Sequence, residues 1–295
     1  MKRVIPLLII ALLAISVSAV FASSRNHENS AKPSVVLVHG AWADGSSWNR
    51  VISRMQDEGF MVFVVANPLR GLASDSAYLA SFLKTIPGQI ILVGHSYGGA
   101  LITNAATGNA NVKALVFIDA FAPDEGESLA SLSSVPPPPG QPASCLSGDP
   151  TQVFNFVPLP NQDVDLYVKP SLFPSCFAND LPEQTGAILA STARPLTFST
   201  FADKSGAPAW KTIPSWYLVG TLDKVIPPFA QLFMAQRINA HIEQVRGSHL
   251  VMISHPDAVV DLIGQANQSI QEDLNMGSQE TLAPVTPLTT KPTVI

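Results

Sequence analysis

The sequence predicts an α/β fold in which a mostly parallel sheet of about six strands is flanked by helices. Short apolar runs rich in Val and Ile alternate with segments of helical character, and this alternation is typical of βαβ units. A chain of 295 residues is also long enough for one large α/β domain. We therefore predict one α/β core, without internal repeats, rather than two small domains.

The alternation is clearest in residues 34–123, the first part of the predicted core. Strands are predicted at 34–39, 60–66, 90–93 and 112–118, and helices at 48–57, 75–85 and 100–106. Glycine or proline separates several of these elements, as Gly40 and Asn67-Pro68 do. Alternation resumes at residues 207–271, with strands at 215–220 and 241–245 and helices at 229–237 and 256–270.

Between these two parts the strand periodicity stops. Residues 124–206 contain the run Pro136–Pro139, two cysteines and only short apolar segments. A segment of this size and composition would bury too little apolar surface to fold alone. We therefore predict an inserted lid of short helices and loops, and we expect the Thr- and Pro-rich residues 272–295 to be a disordered tail.

The N-terminus has the pattern of an export signal. Met1-Lys2-Arg3 precedes an apolar run that ends in small residues near Ala22, which predicts a signal peptide over 1–22 and a flexible segment over 23–33. An uncleaved membrane anchor is the alternative, because the run approaches the roughly 20 residues that span a bilayer. We expect cleavage, a secreted or periplasmic protein, and no stable membrane partner.

Composition narrows the possible partners. The net charge is −5 and no cluster of Lys or Arg follows the N-terminus, so nucleic acid is not an expected partner. Cys145 and Cys176 are the two cysteines, and an exported protein would allow a disulfide between them. Two free buried thiols are the alternative.

The stretch Gly94-His-Ser96-Tyr-Gly98 lies between a predicted strand and a predicted helix. The order strand, G-x-S-x-G and helix is that of a nucleophile elbow, a sharp turn that exposes a serine Oγ. Glycines are needed on both sides because such a turn leaves no room for Cβ atoms. Ser96 is therefore the candidate nucleophile.

A serine nucleophile needs a base, and a group that orients the base. His249 follows the last predicted strand, at the sheet edge where parallel sheets carry their sites, and is the predicted base. The predicted orienting acid is Asp223, and Asp119, which ends the strand after the elbow, is the alternative. For the oxyanion hole we predict the backbone N–H groups of Ala41 and Tyr97.

Four motifs carry a resemblance to a known family. They are Val36–Ala41, Gly94–Gly99, Gly220–Pro227 and Gly247–His249. Together they resemble the α/β-hydrolase superfamily, and within it the small esterases grouped with plant methylesterases and hydroxynitrile lyases. The resemblance implies an α/β-hydrolase fold and a carboxylesterase-type acyl-enzyme mechanism with no cofactor. We also predict no metal.

The resemblance also separates ester hydrolysis from the lyase reaction. Lyases of the group carry a lysine after the catalytic histidine and a polar residue at the position of Gly40, whereas this chain has Leu250 and Gly40. We therefore predict an exported serine esterase acting on small to medium apolar esters, with Trp42 and Phe121 in its pocket, and with Phe198 or Phe201 as further candidates. Perhydrolase or lactonase activity, or ligand binding with little turnover, are the alternatives.

Overall fold

The structure is a computed structural model that describes residues 32–280. Its strands are β1 (Ser34–Val38), β2 (Val62–Val65), β3 (Ile90–His95), β4 (Val112–Ile118), β5 (Phe154–Pro158), β6 (Val164–Val168), β7 (Leu196–Thr197), β8 (Ser215–Gly220) and β9 (His241–Val245). Its α-helices are α1 (Asn49–Asp57), α2 (Leu72–Leu83), α3 (Tyr97–Ala105), α4 (Leu129–Ser133), α5 (Pro150–Val153), α6 (Phe173–Phe177), α7 (Glu183–Thr192), α8 (Pro228–Arg237), α9 (Val251–Ser254) and α10 (Pro256–Glu280).

Six strands form one parallel sheet in the order β2-β1-β3-β4-β8-β9. The apolar side chains of the central strand β3, Ile90 to Val93, are fully buried, as expected for a strand covered on both faces. Because all six strands point the same way, their carboxyl ends meet at one edge of the sheet. The predicted sheet of about six parallel strands is confirmed.

Two groups of helices cover the sheet. Helix α3 packs against β3 and against α2, whereas α10 packs against α1, β4 and β8. The inward stripe of α10 consists of Val259, Leu262, Ile263, Ala266 and Ile270, all buried. This helix continues to Glu280, so the predicted disordered tail from residue 272 is wrong for its first residues, and residues 281–295 lie outside the described part.

The insertion, as we call residues 124–206, differs from the prediction of helices and loops alone. It contains α4 to α7 and also a small antiparallel sheet in the order β5-β6-β7. All three of these strands are short, and β7 has only two residues. Such strands are held by pairing with each other and by packing on the core, which leaves little periodicity in the sequence.

A disulfide joins Cys145 to Cys176 within the insertion, as predicted, with their Cα atoms 5.9 Å apart. The predicted signal peptide (1–22) and most of the predicted flexible segment (23–33) lie outside the described residues. Within residues 32–280, no helix combines the length and apolarity needed to cross a bilayer.

Candidate active site

Ser96 lies at the turn between β3 and α3, at the carboxyl edge of the sheet. Its backbone has φ 53° and ψ −122°, a conformation that is costly for a residue with a Cβ atom. A Cβ at Gly94 would lie 2.5 Å from the Gly98 carbonyl oxygen, and a Cβ at Gly98 would lie 2.5 Å from that of Val38. The glycines are thus required by contact with the helix and with β1, and the turn has the geometry of a nucleophile elbow.

His249 connects Ser96 to Asp223 through two hydrogen bonds. Its Nε2 lies 3.0 Å from Ser96 Oγ, and its Nδ1 lies 2.7 Å from Asp223 Oδ2. A carboxylate accepts only, so Nδ1 carries the proton and Nε2 is free to accept one from the serine. All three side chains are buried, which strengthens these bonds relative to bonds exposed to water.

Asp223 is surrounded by hydrogen-bond donors. Its Oδ1 accepts from the amides of Val225 and Ile226 at 2.7 and 3.0 Å. Its Oδ2 accepts from Gln231 Nε2, as well as from His249, at 2.7 Å each. Four donors stabilise the charged form of a carboxylate that is buried in the protein.

Asp119, the alternative acid, occupies a different environment at the end of β4. Its Oδ1 accepts from the Gly220 amide at 2.5 Å, and its buried Oδ2 has no partner among the described residues. Burial, and then the nearby charge of Asp223, raises the pKa of Asp119 well above its ordinary value. The raised pKa favours the protonated form of Asp119. Asp119 accepts from the end of the strand that leads to Asp223, and in the described part of the chain it makes no hydrogen bond with the imidazole.

The backbone beside His249 is held from two sides. His95 Nε2 donates to the His249 carbonyl oxygen at 2.8 Å, and burial lowers the pKa of His95 well below its ordinary value, so that this ring stays neutral. On the other side, Asp180 of the insertion accepts from the Ser248 amide at 2.9 Å. Phe177 packs edge-on against the His249 ring, with ring centroids 5.5 Å apart.

Ala41 and Tyr97, whose backbone N–H groups are predicted to form the oxyanion hole, both line the cavity at Ser96. Tyr97 is the first residue of α3, where amides have no intrahelical carbonyl to bond. Ala41 follows Gly40, and a Cβ at Gly40 would lie 2.6 Å from Ser96 Cβ, so the loop after β1 closely approaches the serine. Ala41, Ser96 and Tyr97 line one cavity.

That cavity, which we call the Ser96 cavity, has a volume of about 230 Å³ and mostly apolar walls. Trp42 and Phe121 both line it, as does Phe201, whereas Phe198 does not line it and is 60% exposed. The Trp42 indole N–H donates to the Leu166 carbonyl oxygen of the insertion at 2.8 Å. The insertion therefore supplies part of the wall and fixes one of the aromatic rings.

Asp119, Asp223 and His249 lie close enough together to be compared with the ligands of a metal site. Potential ligand atoms of Asp119, Asp223 and His249 lie within 4.8 Å of one another. However, the His249 Nδ1 proton already bridges to Asp223 Oδ2, and a cation would have to replace it. The arrangement therefore suits proton transfer at Nε2, and the expectation that no metal or cofactor is used stays a prediction.

Sequence reasoning missed several residues that hold the predicted site together. Gln231, on α8, donates to Asp223. Two residues of the insertion donate to carbonyl oxygens beside Asp223: Asn179 to that of Leu222 at 3.1 Å, and Ser144 to that of Val225 at 2.7 Å. The position of Gln231 one helical turn into α8 was a usable signal, since that helix follows the acid loop directly. Asn179 and Ser144 had no such signal in the sequence, because their contacts depend on the tertiary fold of the insertion.

Comparison with known proteins agrees with this architecture. The carbendazim hydrolyzing esterase of Nocardioides sp. (strain SG-4G) is 32% identical over 126 residues, which are 38% of this chain and 52% of the esterase. This chain thus spans about half the length of that relative. The alpha-hydroxynitrile lyase of Arabidopsis thaliana is 25% identical over 253 residues, covering 77% of this chain and 93% of the lyase.

Among solved structures, polyneuridine aldehyde esterase has the same fold, with a TM-score of 0.65 and 18% identity over 81% of this chain and 99% of that chain. The relatives include a hydroxynitrile lyase and esterases, so the resemblance predicted from the four motifs is confirmed. The profile of the alpha/beta hydrolase family matches residues 35–262. The chain belongs to the alpha/beta hydrolase family.

Proposed function

We propose that this protein is a serine esterase that cleaves small to medium, mostly apolar carboxylic esters through an acyl-enzyme on Ser96. The observation that carries the proposal is the continuous hydrogen-bonded series from Asp223 through His249 to Ser96 Oγ, with donor–acceptor distances of 2.7 and 3.0 Å. A serine so placed can lose its proton as it attacks a carbonyl carbon.

The reaction follows in two halves. Ser96 Oγ bonds to the ester carbonyl carbon while its proton moves to His249 Nε2, and the amides of Ala41 and Tyr97 hold the oxyanion that forms. Asp223 stabilises the imidazolium, which then protonates the departing alcohol. In the second half water gives its proton to His249, attacks the acyl carbon, and releases the acid together with the free serine.

The walls of the Ser96 cavity support an apolar, uncharged substrate. Its lining includes Trp42, Phe121, Phe154 and Leu196, and no charged side chain of the described residues lines it. Desolvating a charged substrate group without a partner would be costly there. The names of the relatives, among them the carbendazim hydrolyzing esterase, are consistent with esters as substrates.

Two positions favour hydrolysis over the lyase reaction that the name of the Arabidopsis relative describes. Leu250, which follows His249, is buried, so this chain offers an apolar side chain where lyases of the group have a lysine. A side chain at Gly40 would clash with Ser96, so this position also offers no polar group to a substrate.

Hydrolysis of p-nitrophenyl acetate tests the proposal. We expect saturable turnover that Ser96→Ala reduces by at least about a thousandfold, since the remaining groups only bind and polarise the ester. Ser81→Ala, an exposed serine of α2, is the matched control and should keep full activity. Equal activity of parent and Ser96→Ala proteins would remove Ser96 from the reaction.

We further propose that the protein is exported and that residues 1–22 are removed. The support is the basic, then apolar, then small-residue order of that segment. N-terminal sequencing of protein produced with its own leader should give Ser23 as the first residue. An intact Met1 in membrane-bound protein would instead support the anchor.

A further inference from the structure

A second cavity, of about 290 Å³, lies beside the Ser96 cavity. One wall is α8, which contributes Phe229, Ala230, Phe233 and Met234. The opposite wall is the segment 132–137, from the end of α4 into the proline run of the insertion. No charged side chain of the described residues lines this cavity, so the groups it can accept are apolar and neutral.

The two cavities share a wall. Five residues line both of them, namely Phe121, Ser133, Ser144, Ser147 and Val225. The space at Ser96 therefore adjoins the space at α8 along these five side chains. The Val225 amide donates a hydrogen bond to Asp223 Oδ1 at 2.7 Å. The shared wall therefore includes the loop that carries Asp223.

Volume favours use of both cavities by one ligand. Pockets that enclose a small-molecule ligand usually have volumes of about 300 to 1,000 Å³. The Ser96 cavity alone, at about 230 Å³, is below this range, whereas the two cavities together are within it.

The outer end of the second cavity is unusually apolar for protein surface. Phe233 on α8 and Val135 on the insertion both line it and are 52% and 48% exposed. Exposed large apolar side chains at a cavity are a feature of ligand sites, because a bound apolar group would remove them from water. Neither side chain is needed for the packing of the core sheet.

The geometry points to a substrate site with two lobes. The ester carbonyl binds at Ser96, and one long apolar arm of the ester passes between Phe121 and Val225 into the second cavity. This inference rests on the proposed function and deepens it, because it names the substrate class. The substrates are neutral esters with a medium-length alkyl or arylalkyl arm, and compact esters such as p-nitrophenyl acetate fill only the first lobe.

Two bulky substitutions from opposite walls test the inference in the full chain. Ala230→Trp fills the cavity from α8, and Ser134→Trp fills it from the insertion. Ala110→Trp is the control, since Ala110 is exposed and lines a cavity away from Ser96. The kcat/KM values are measured for p-nitrophenyl acetate, p-nitrophenyl decanoate and decyl acetate, which separate a long acyl arm from a long alcohol arm.

We expect the ratio of long-ester to acetate kcat/KM to fall at least about tenfold in both cavity variants, because several methylene groups lose their apolar contacts. The Ala110→Trp protein should keep the parent ratio. The long ester that loses turnover identifies the arm that enters the second cavity. A ratio that stays within about twofold of the parent for both long esters in both variants would overturn the inference.

A binding measurement separates this inference from the proposed function. Binding of the two neutral long esters, p-nitrophenyl decanoate and decyl acetate, to Ser96→Ala protein is measured by calorimetry, with and without Ala230→Trp. If the parent cleaves no ester, the proposed function fails, and the second cavity is still supported when Ala230→Trp weakens the binding of either ester at least about tenfold. Binding of both esters that Ala230→Trp and Ser134→Trp leave unchanged overturns the second lobe in either case.

Discussion

Strands β4 and β8 are neighbours in the sheet, and each is followed by a buried aspartate, but the two carboxylates have different surroundings. Asp223, in the loop after β8, accepts four hydrogen bonds. Asp119, directly after β4, accepts one from the Gly220 amide, and its second oxygen has no partner in the described part of the chain. Burial alone therefore does not distinguish the two acids.

The difference shows how a site can hold two acids and use one as an anion. Donors around Asp223 replace the water it lost on burial, whereas fewer donors surround Asp119 and burial raises its pKa. The raised pKa favours the protonated form of Asp119, which avoids a second negative charge near Asp223. Its oxygen still bonds Gly220, at the end of the strand that leads into the acid loop.

The largest expected effect separates the two acids by turnover. Asp223→Asn should lower kcat on p-nitrophenyl acetate by about ten-thousandfold, because an amide at this position favours the wrong imidazole tautomer. The measurement is steady-state kinetics at saturating ester. An Asp223→Asn protein with nearly parental kcat would mean that another group orients His249.

Gln231 tests whether the donors around Asp223 matter. Gln231→Met keeps the side-chain length but removes the hydrogen bond to Asp223 Oδ2. A hydrogen bond to a charged group contributes about 1.5 to 3 kcal/mol, so kcat should fall roughly ten- to a hundredfold. Gln268→Met, an exposed glutamine of α10, is the control, and equal kinetics of the two variants would contradict a positioning role.

Asp119→Asn should have a much smaller effect on turnover than Asp223→Asn. The amide oxygen can still accept from Gly220, and the NH₂ group replaces the carboxyl O–H, so the side chain is close to isosteric with the protonated acid. We expect kcat within about tenfold of the parent. A loss as large as that of Asp223→Asn would reverse the assignment of the two acids.

The pH dependence of stability gives the smallest predicted effect. The pKa of folded Asp119 is raised above its ordinary value of 3.8, so above that pH the unfolded chain releases a proton that the folded chain keeps. The stability contributed by this group therefore falls as pH rises, by up to about 1.4 kcal/mol per pH unit until the folded pKa is reached.

Asp119→Asn removes the ionisable group and with it this pH-dependent contribution to stability. Urea unfolding of the oxidised proteins at several pH values from 5 to about 8 should therefore show the variant gaining stability relative to the parent as pH rises. Parallel pH profiles of the two proteins would mean that Asp119 is charged in the folded state.

The sheet and the predicted triad could be read from the sequence because both follow local rules. Parallel strands have continuous apolar runs, and Gly94 and Gly98 are needed wherever a serine sits in this turn. The carboxyl ends of such strands lie at one edge, which brings Asp223 and His249 near Ser96 although they are far apart in sequence. The same rule also predicts Asp119 at that edge, so it does not show which of the two acids orients His249.

The ranking and the insertion depend on tertiary contacts. The donors around Asp223 come together only once α8 packs beside the loop, and the strands β5 to β7 form only by pairing with each other. The shared wall of the two cavities combines Phe121 of the core with Ser144 of the insertion. Sequence periodicity does not predict such contacts between the core and the insertion.

Labelling with a fluorophosphonate, followed by peptide mass mapping, tests the central claim that Asp223, through His249, activates Ser96. We predict one phosphonyl group per chain, on Ser96, with a labelling rate that Asp223→Asn lowers by orders of magnitude and Asp119→Asn changes little. No label on Ser96, or equal slowing by the two substitutions, would contradict the account.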